Sequence, residues 1–513
     1  MPFAYRPCPK PSASRRIWRS CCHGPTDRKP PMNFQAIDLF TLLPELVVLI
    51  TACAVLIADL YLPEARKDVN QLISFVGLGV AIAVVGIVGF AWGPTPTHAF
   101  GEAFVRDPMS DLLKGVVLVV TALAFAYSAR YMRERSLWVG EFHVLMLFAL
   151  LGILIMISAN GFLVMYLGLE LLALCLYALV AFNRDSSTGA EAAMKYFVLG
   201  ALGSGMLLYG ISMLYGATGA LGFAAVAEAV ATQGMENRIL VFGLVFVIIG
   251  VAFKFGAVPF HMWIPDVYQG APTPVALFLS SAPKVAAFAM AVRILVDGLP
   301  GLASEWSEIL VMLSVLSLAI GNVVAIAQSN IKRMLGYSTI SHVGFIFLGL
   351  LAGTPDGYAA AMFYAVVYAL MSAGAFGVLV MISHQGFEAE NLDDLKGLGE
   401  RDAWLAAMMT LVMFSMAGVP PLVGFMAKLL VLQAVIDIGL VWLAIVAVTF
   451  SIVGAFYYLR VVKMIYFDKP ELDAAVDGAR DARIAVSVNG LSMLVLGMFP
   501  ATLLALCEAA FTG

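Results

Sequence analysis

The sequence predicts an all-α polytopic membrane protein, a bundle of about fourteen transmembrane helices. Three observations point there. Apolar residues fill 61 % of the 513 positions and charged ones only 12 %, half the share of about 25 % found in soluble domains. The apolar residues come in unbroken runs of roughly 20, the length that crosses a bilayer core of about 30 Å. Those runs show no period-two alternation, which sets aside a β-barrel. Mean hydropathy is +0.93. The 30 basic and 34 acidic residues give a net charge of -4, which leaves no basic footprint for nucleic acid. Six cysteines without a CxxC pair exclude a disulfide scaffold, a zinc ribbon and an iron–sulfur site built on such a pair.

Residues 1–31 come first, with seven basic residues and a single acid, Asp27. The stretch lacks the apolar centre of a secretory signal. It reads as an extension ahead of a start at Met32, or as a disordered tail. The N-terminal segment 32–138 then carries spans at 39–62, 70–92 and 109–129. A second group, 139–295, carries spans at 139–157, 160–182, 191–215, 238–261 and 272–295. A third, 305–465, carries spans at 305–327, 331–352, 356–383, 403–437 and 440–465, and residues 483–513 hold the last, at 483–508. The connections are short, the longest about twenty residues (216–237 and 384–402), so nucleotide or flavin chemistry belongs on another chain.

Basic residues orient the bundle, because cytoplasmic loops carry the excess. Thirteen lie in loops that follow odd-numbered spans, Lys332 and Arg333 among them; only Arg106, Arg238 and Arg293 follow even-numbered ones. The odd loops are therefore expected in the cytoplasm and both termini on the outer face.

A few charges remain at membrane depth, where each costs about 2.5–3.5 kcal/mol at a helix centre. Glu170 lies about 15 Å into the fifth span at 1.5 Å per residue. Lys284 lies near the midplane of the eighth, Lys254 in the seventh and Lys428 in the twelfth. Lys195 is only a few residues into the sixth, shallow enough to snorkel or to take part. Lys114, with Asp111 one turn away, is expected to snorkel, and Glu45, Asp59, Glu141, Asp297, Asp437 and Glu508 are expected at the interfaces. One deep acid cannot pair with three or four deep lysines. Burial disfavours a charged amine, so an unpaired deep lysine is a proton site, the alternative being a static ion pair. Moving one charge against 100 mV costs about 2.3 kcal/mol, a load that one carboxylate approaching across a low-dielectric gap can match.

Two spans carry proline beside glycine and lysine: Lys254, Gly256 and Pro259 in the seventh, and Gly418, Pro420, Pro421, Gly424 and Lys428 in the twelfth. Proline breaks a helix, and freed backbone groups at membrane depth survive only inside protein or against water. Interrupted spans in matching halves point to inverted repeats. Here they are five spans apart, so the repeats cover spans four to eight and nine to thirteen, and that pairing sets Lys254 against Lys428. His261, seven residues after Lys254, and His342, mid-span in the tenth, are either hydrogen-bonded core histidines or proton relays. Small residues such as GALGSG at 200–205 fit close helix contacts.

The segment VAFKFGAVPFHMWIPDVYQGAPTPVALFLSSAPKVAAFA (251–289) resembles the antiporter-like membrane subunits of respiratory complex I, and within them the N-type subunits of NADH-quinone oxidoreductase. NIKRMLGYSTISHVGF (330–345), GVPPLVGFMAK (418–428) and YLGLELLALCLYAL around Glu170 extend the likeness, which runs from about residue 33 to the C-terminus. The resemblance implies fourteen helices with two inverted five-helix repeats, broken seventh and twelfth spans, and a place in the bacterial inner membrane. It implies proton translocation through Glu170, Lys254, Lys284 and Lys428, with Lys195, His261 and His342 as candidate relays. It also implies K- and M-type neighbours, and FMN, iron–sulfur clusters and a quinone site on partner subunits rather than on this chain. Related multi-chain cation/proton antiporters and membrane-bound hydrogenases share the fold and are the alternative.

Overall fold

Thirteen helices among the described residues are long and apolar enough to cross a membrane. The computed structural model describes residues 36–63, 66–233, 237–470 and 480–512; the extension 1–31, and with it the choice of start, lies outside them. The remaining expected span is the twelfth. It is present as two helices, Ala403–Ala417 and Val423–Asp437, each 15 residues and too short to cross alone. The seventh span is broken in the same manner, into Arg238–Phe255 and Trp263–Gly270.

Both breaks have one cause. The first half-helix ends on a glycine in the left-handed region, Gly256 (φ 76°) or Gly418 (φ 86°), where only glycine is free of a Cβ penalty. A proline follows three residues later in each, Pro259 and Pro421. This register corrects the expected pairing of lysines. Lys254 precedes its glycine by two residues, whereas Lys428 follows its glycine by ten, so the two lie on opposite sides of equivalent breaks.

Burial locates the centre of the bundle. Spans eight (Thr273–Gly298), ten (Ile331–Leu351) and eleven (Pro355–Ile382) are 94 % buried over their most apolar stretch, against 33 % for spans one, two, thirteen and fourteen. Since lipid is as apolar as leucine, helices approach through small residues instead. A Cβ on Gly152 would meet the Gly168 carbonyl at 2.7 Å, and one on Gly210 the Gly243 carbonyl at 2.8 Å. Within GALGSG, Gly203 lies against the Phe253 ring and Gly200 against Tyr177, which brings the sixth span onto the fifth and seventh. The loop after the second span holds a feature that hydropathy does not reveal, a short hairpin of Thr97–Ala99 and Phe104–Arg106.

Several charges differ from expectation. Lys114 does not snorkel: its Nζ lies 2.7 Å from Glu45 Oε1, with both side chains almost fully buried between the first and third spans. Glu45, in the first turn of its span, is thus enclosed by protein. Asp111 is taken instead by Arg106. Lys332, counted as a loop charge, is buried in the first turn of the tenth span. Arg293 is also buried, in a π-helical turn, Val292–Gly298, where it pairs with Asp107 at 2.7 Å.

Candidate functional site

The break in the seventh span frees backbone carbonyls in the bundle interior, and the sequence supplies donors for them. Lys284, from the eighth span, donates from Nζ to the Phe255 carbonyl at 2.8 Å and reaches the Lys254 carbonyl at 3.4 Å. Trp263 Nε1 donates to the Phe253 carbonyl at 3.0 Å. The Lys284 ammonium also stands 5.0 Å from the centre of the Trp263 ring. A cation at a helix C-terminus is favoured by the backbone dipole, so the broken end is a seat for a charged amine.

Lys254 itself points the other way, donating to Ser204 Oγ of the sixth span at 3.0 Å. Glu170, on the fifth span, has its Oε1 buried without a hydrogen-bond partner. Between the two lysines is a cavity of about 30 Å³, lined by both and by Tyr196, Trp263 and Pro283. That volume admits a water molecule, which needs polar partners of this kind. Pro283 contributes as well: it has no N–H, so it leaves the Leu279 carbonyl without its helical donor.

The second break repeats the arrangement with a different donor. Lys428 Nζ donates to the Ala417 carbonyl at 2.9 Å and to Ser451 Oγ at 2.8 Å. Phe255 and Ala417 each immediately precede the terminating glycine. In the carbonyl that it caps, Lys428 plays the part of Lys284 rather than that of Lys254.

Spans eight, ten, eleven and thirteen fill the space between the two seats with buried polar side chains. Ser280, one turn before Lys284, accepts from Ser372 at 2.7 Å, and Tyr368 donates to Thr339 at 2.7 Å. His342 is held at both ring nitrogens, by the Tyr364 hydroxyl at 2.8 Å and the Tyr458 hydroxyl at 3.0 Å. The aromatic ring of Phe345, one turn on, lies 5.3 Å from Lys428 Nζ. Motif reading found His342 but not these tyrosines. The i, i+4 spacing of Tyr364 and Tyr368 was the available signal.

The family described as the transmembrane region of NADH:quinone oxidoreductase/Mrp antiporter matches residues 159–454. The NADH-quinone oxidoreductase subunit N of Thioalkalivibrio sulfidiphilus (strain HL-EbGR7) is 56 % identical over 483 residues, covering 94 % of this chain and all of that one. The chain belongs to the NADH-quinone oxidoreductase subunit N family. A chain of respiratory complex I from Thermus thermophilus, solved with bound aureothin, is similar at 32 % identity and a TM-score of 0.79, over 91 % of this chain and all of that one. A chain of the Mrp complex from Dietzia sp. DQ12-45-1b reaches a TM-score of 0.80 at 21 % identity, covering 92 % and 96 %. That likeness shows the fold alone. It is sequence identity that separates subunit N from the antiporter relatives.

In this member of the subunit N family, the structure sets Lys254 and Lys284 on one cavity, whose lining does not include Glu170, and places His342 one turn from Phe345, whose ring faces Lys428. Two expected residues stand apart. Lys195 is 44 % exposed and ion-paired with Glu191 at 2.9 Å and Asp266 at 2.7 Å. Asp266 in turn holds Arg333 at 2.6 Å, so this network ties the second half of the seventh span to spans six and ten. His261 sits in the turn of the break, half-buried, its Nδ1 without a partner; the helix stops at Phe255, so His261 shares no helix face with Lys254. Among the described residues no group of three or more His, Cys, Asp or Glu could hold a metal ion.

Proposed function

We propose that the chain is a proton-translocating membrane subunit of NADH:quinone oxidoreductase, passing protons through Lys254, Lys284 and Lys428 while quinone is reduced elsewhere in the complex. One observation carries this: Lys284, buried, and Lys254 and Lys428, partly buried, sit on carbonyl and hydroxyl oxygens, with no carboxylate in ion-pair distance among the described residues. A neutral acceptor stabilises an ammonium without locking it there. Loss of the proton costs one hydrogen bond, not a buried ion pair, so each site can exchange. Glu170 then acts as the switchable charge. Closer to Lys254 it favours the ammonium; farther away it lets the proton pass by way of the water-sized cavity to Lys284.

The remaining assignments belong with this function. Residues 139–295 and 305–465 form the two inverted repeats, one half-channel each, flanked by 32–138 and 483–513. Lys428 is the outlet site, and His342 with its two tyrosines relays between Lys284 and Lys428. The odd-numbered loops face the cytoplasm of a bacterial inner membrane, with both termini outside. FMN, iron–sulfur clusters and the quinone site lie on partner subunits, and K- and M-type subunits are the neighbours.

The test uses vesicles containing the assembled complex. Lys254→Ala and Glu170→Ala should each lower NADH-driven proton uptake by about tenfold or more, equivalent to at least about 1.4 kcal/mol on the barrier, with assembly unchanged on native electrophoresis. Normal pumping and turnover in both variants would sink the assignment.

A further inference from the structure

The connection between the eleventh and twelfth spans is seated on the bundle rather than trailing from it. Its backbone zips onto the start of the tenth span, Ile331 N–H donating to the Glu390 carbonyl at 2.7 Å and Leu392 N–H to the Ser329 carbonyl at 2.9 Å. Arg135, at the end of the third span, donates to the Phe387 carbonyl at 2.9 Å. At the centre of this seat is Glu388. Its carboxylate accepts from the Tyr131 hydroxyl at 2.8 Å, from Arg135 Nη2 at 2.6 Å and from the Thr273 hydroxyl. Lys332 is 1 % exposed. Its Nζ lies 3.0 Å from Glu390, 3.8 Å from Glu388 and 3.5 Å from Thr273 Oγ1. An acid in contact with the third and eighth spans and with a buried lysine of the tenth is more than a loop needs to stay folded.

What lies beneath gives it a role. On the eighth span Thr273, Ser280 and Lys284 fall at i, i+7 and i+11, one face of a helix. On the tenth span Lys332 and Thr339 fall at i and i+7. The two stripes meet at the top, Thr273 against Lys332, and are joined two turns below by Ser280–Ser372 and Tyr368–Thr339. The seam so formed runs from the loop face to Lys284. Two turns are about 10 Å, a gap that water must span.

We propose that Glu388 is the proton-loading acid at the mouth of this seam. It takes a proton from water at the face of the odd-numbered loops. It releases that proton through the Thr273 hydroxyl, which accepts on oxygen as it gives up its own hydrogen, and on through water to the neutral amine of Lys284. Glu388 returns to the carboxylate and Lys284 to the ammonium, so one proton moves and nothing is oxidised or reduced. Lys332, Arg135 and Glu390 set the charge around the acid, with Tyr131 and Thr273 as its neutral contacts. The inference rests on the proton-translocating function proposed above, and Lys284→Ala serves as the control for that function.

The experiment is NADH-driven quinone reduction and proton uptake by the reconstituted complex carrying Glu388→Gln, Glu388→Asp or Tyr131→Phe. Glu388→Gln should lower uptake by about tenfold or more, below the 10²–10⁴ that a general acid contributes because water still reaches the seam. Glu388→Asp should recover most of it. Formate supplied to the odd-loop face should restore turnover in Glu388→Gln, since a small acid can replace the lost one. Parental uptake in Glu388→Gln, while Lys284→Ala fails, overturns the loading role and leaves the function standing. A Glu388→Gln defect that formate does not restore and that Tyr131→Phe reproduces also overturns it, making Glu388 a clasp. Where Glu388→Gln does not assemble, formate dependence of Glu388→Asp turnover decides between the same two outcomes.

Discussion

The Lys284 ammonium donates to the carbonyl of Phe255 at 2.8 Å, and that carbonyl is a free acceptor because Gly256 turns the helix off and Pro259, four residues on, has no N–H to donate. The proton site and the broken helix are thus one feature. The same relationship joins Lys428 to Ala417 at 2.9 Å, one residue before Gly418. Break and amine must therefore be perturbed together by any change at either glycine.

Gly256→Ala and Gly418→Ala should both destabilise the complex, unequally. An L-residue in the left-handed region costs about 1–2 kcal/mol. At Gly256 the new Cβ would also fall 1.9 Å from Ile264 Cδ1, whereas at Gly418 the nearest atom, Lys428 Cδ, is 3.0 Å away. Thermal unfolding of the purified complex should show the larger loss for Gly256→Ala. Equal losses would mean that the side-chain clash is relieved at no cost.

Lys428→Arg should retain the cap on the Ala417 carbonyl, because a guanidinium also donates, yet it stays charged at all working pH values. Its complex should assemble and pump at least several-fold more slowly, by initial rates of NADH-driven uptake. A parental rate would remove Lys428 from the proton path.

Lys114 and Glu45 form a buried pair remote from both breaks, so stability and pumping should separate there. Removing one partner should cost about 3–5 kcal/mol, whereas replacing both with apolar residues of similar volume is often neutral. Lys114→Met should lower the yield of assembled complex, and Lys114→Met with Glu45→Leu should recover it while pumping normally. A double variant that assembles but does not pump would give this pair a part in translocation.

Tyr458→Phe removes the hydroxyl that His342 Nε2 and Ser338 share. An unsatisfied buried polar group costs about 1–3 kcal/mol, and the relay between the two amine seats is cut at one contact. Proton uptake should fall several-fold with the complex intact, and unchanged uptake would make His342 a packing residue.

Much of this was legible in the sequence because hydropathy is a strong signal at this length. Fourteen runs, both broken spans and the deep residues Glu170, Lys254, Lys284 and Lys428 could be read from it. Pairing across spans could not. Lys114 beside Asp111 looked local, but its partner Glu45 is on another helix, and no periodicity reports which faces meet. Lys332 looked like a loop charge because it stands at a span boundary; only the loop folded over it, with Glu388 and Glu390, shows that it is buried. The pairing of Lys254 with Lys428 failed for a related reason. Both are lysines in broken spans, but a cap is defined by the carbonyl it serves, and the lysine serving the first break comes from the next span.

The most direct test of proton passage through the capped amines is the initial rate of NADH-driven proton uptake by proteoliposomes carrying the assembled complex with Lys284→Arg, with Lys284→Met measured beside it. Both complexes should migrate at native size. Uptake should fall by about tenfold or more in each, since one side chain cannot release its proton and the other carries none. Parental uptake with Lys284→Arg, in a complex of native size, would contradict the role assigned to this lysine.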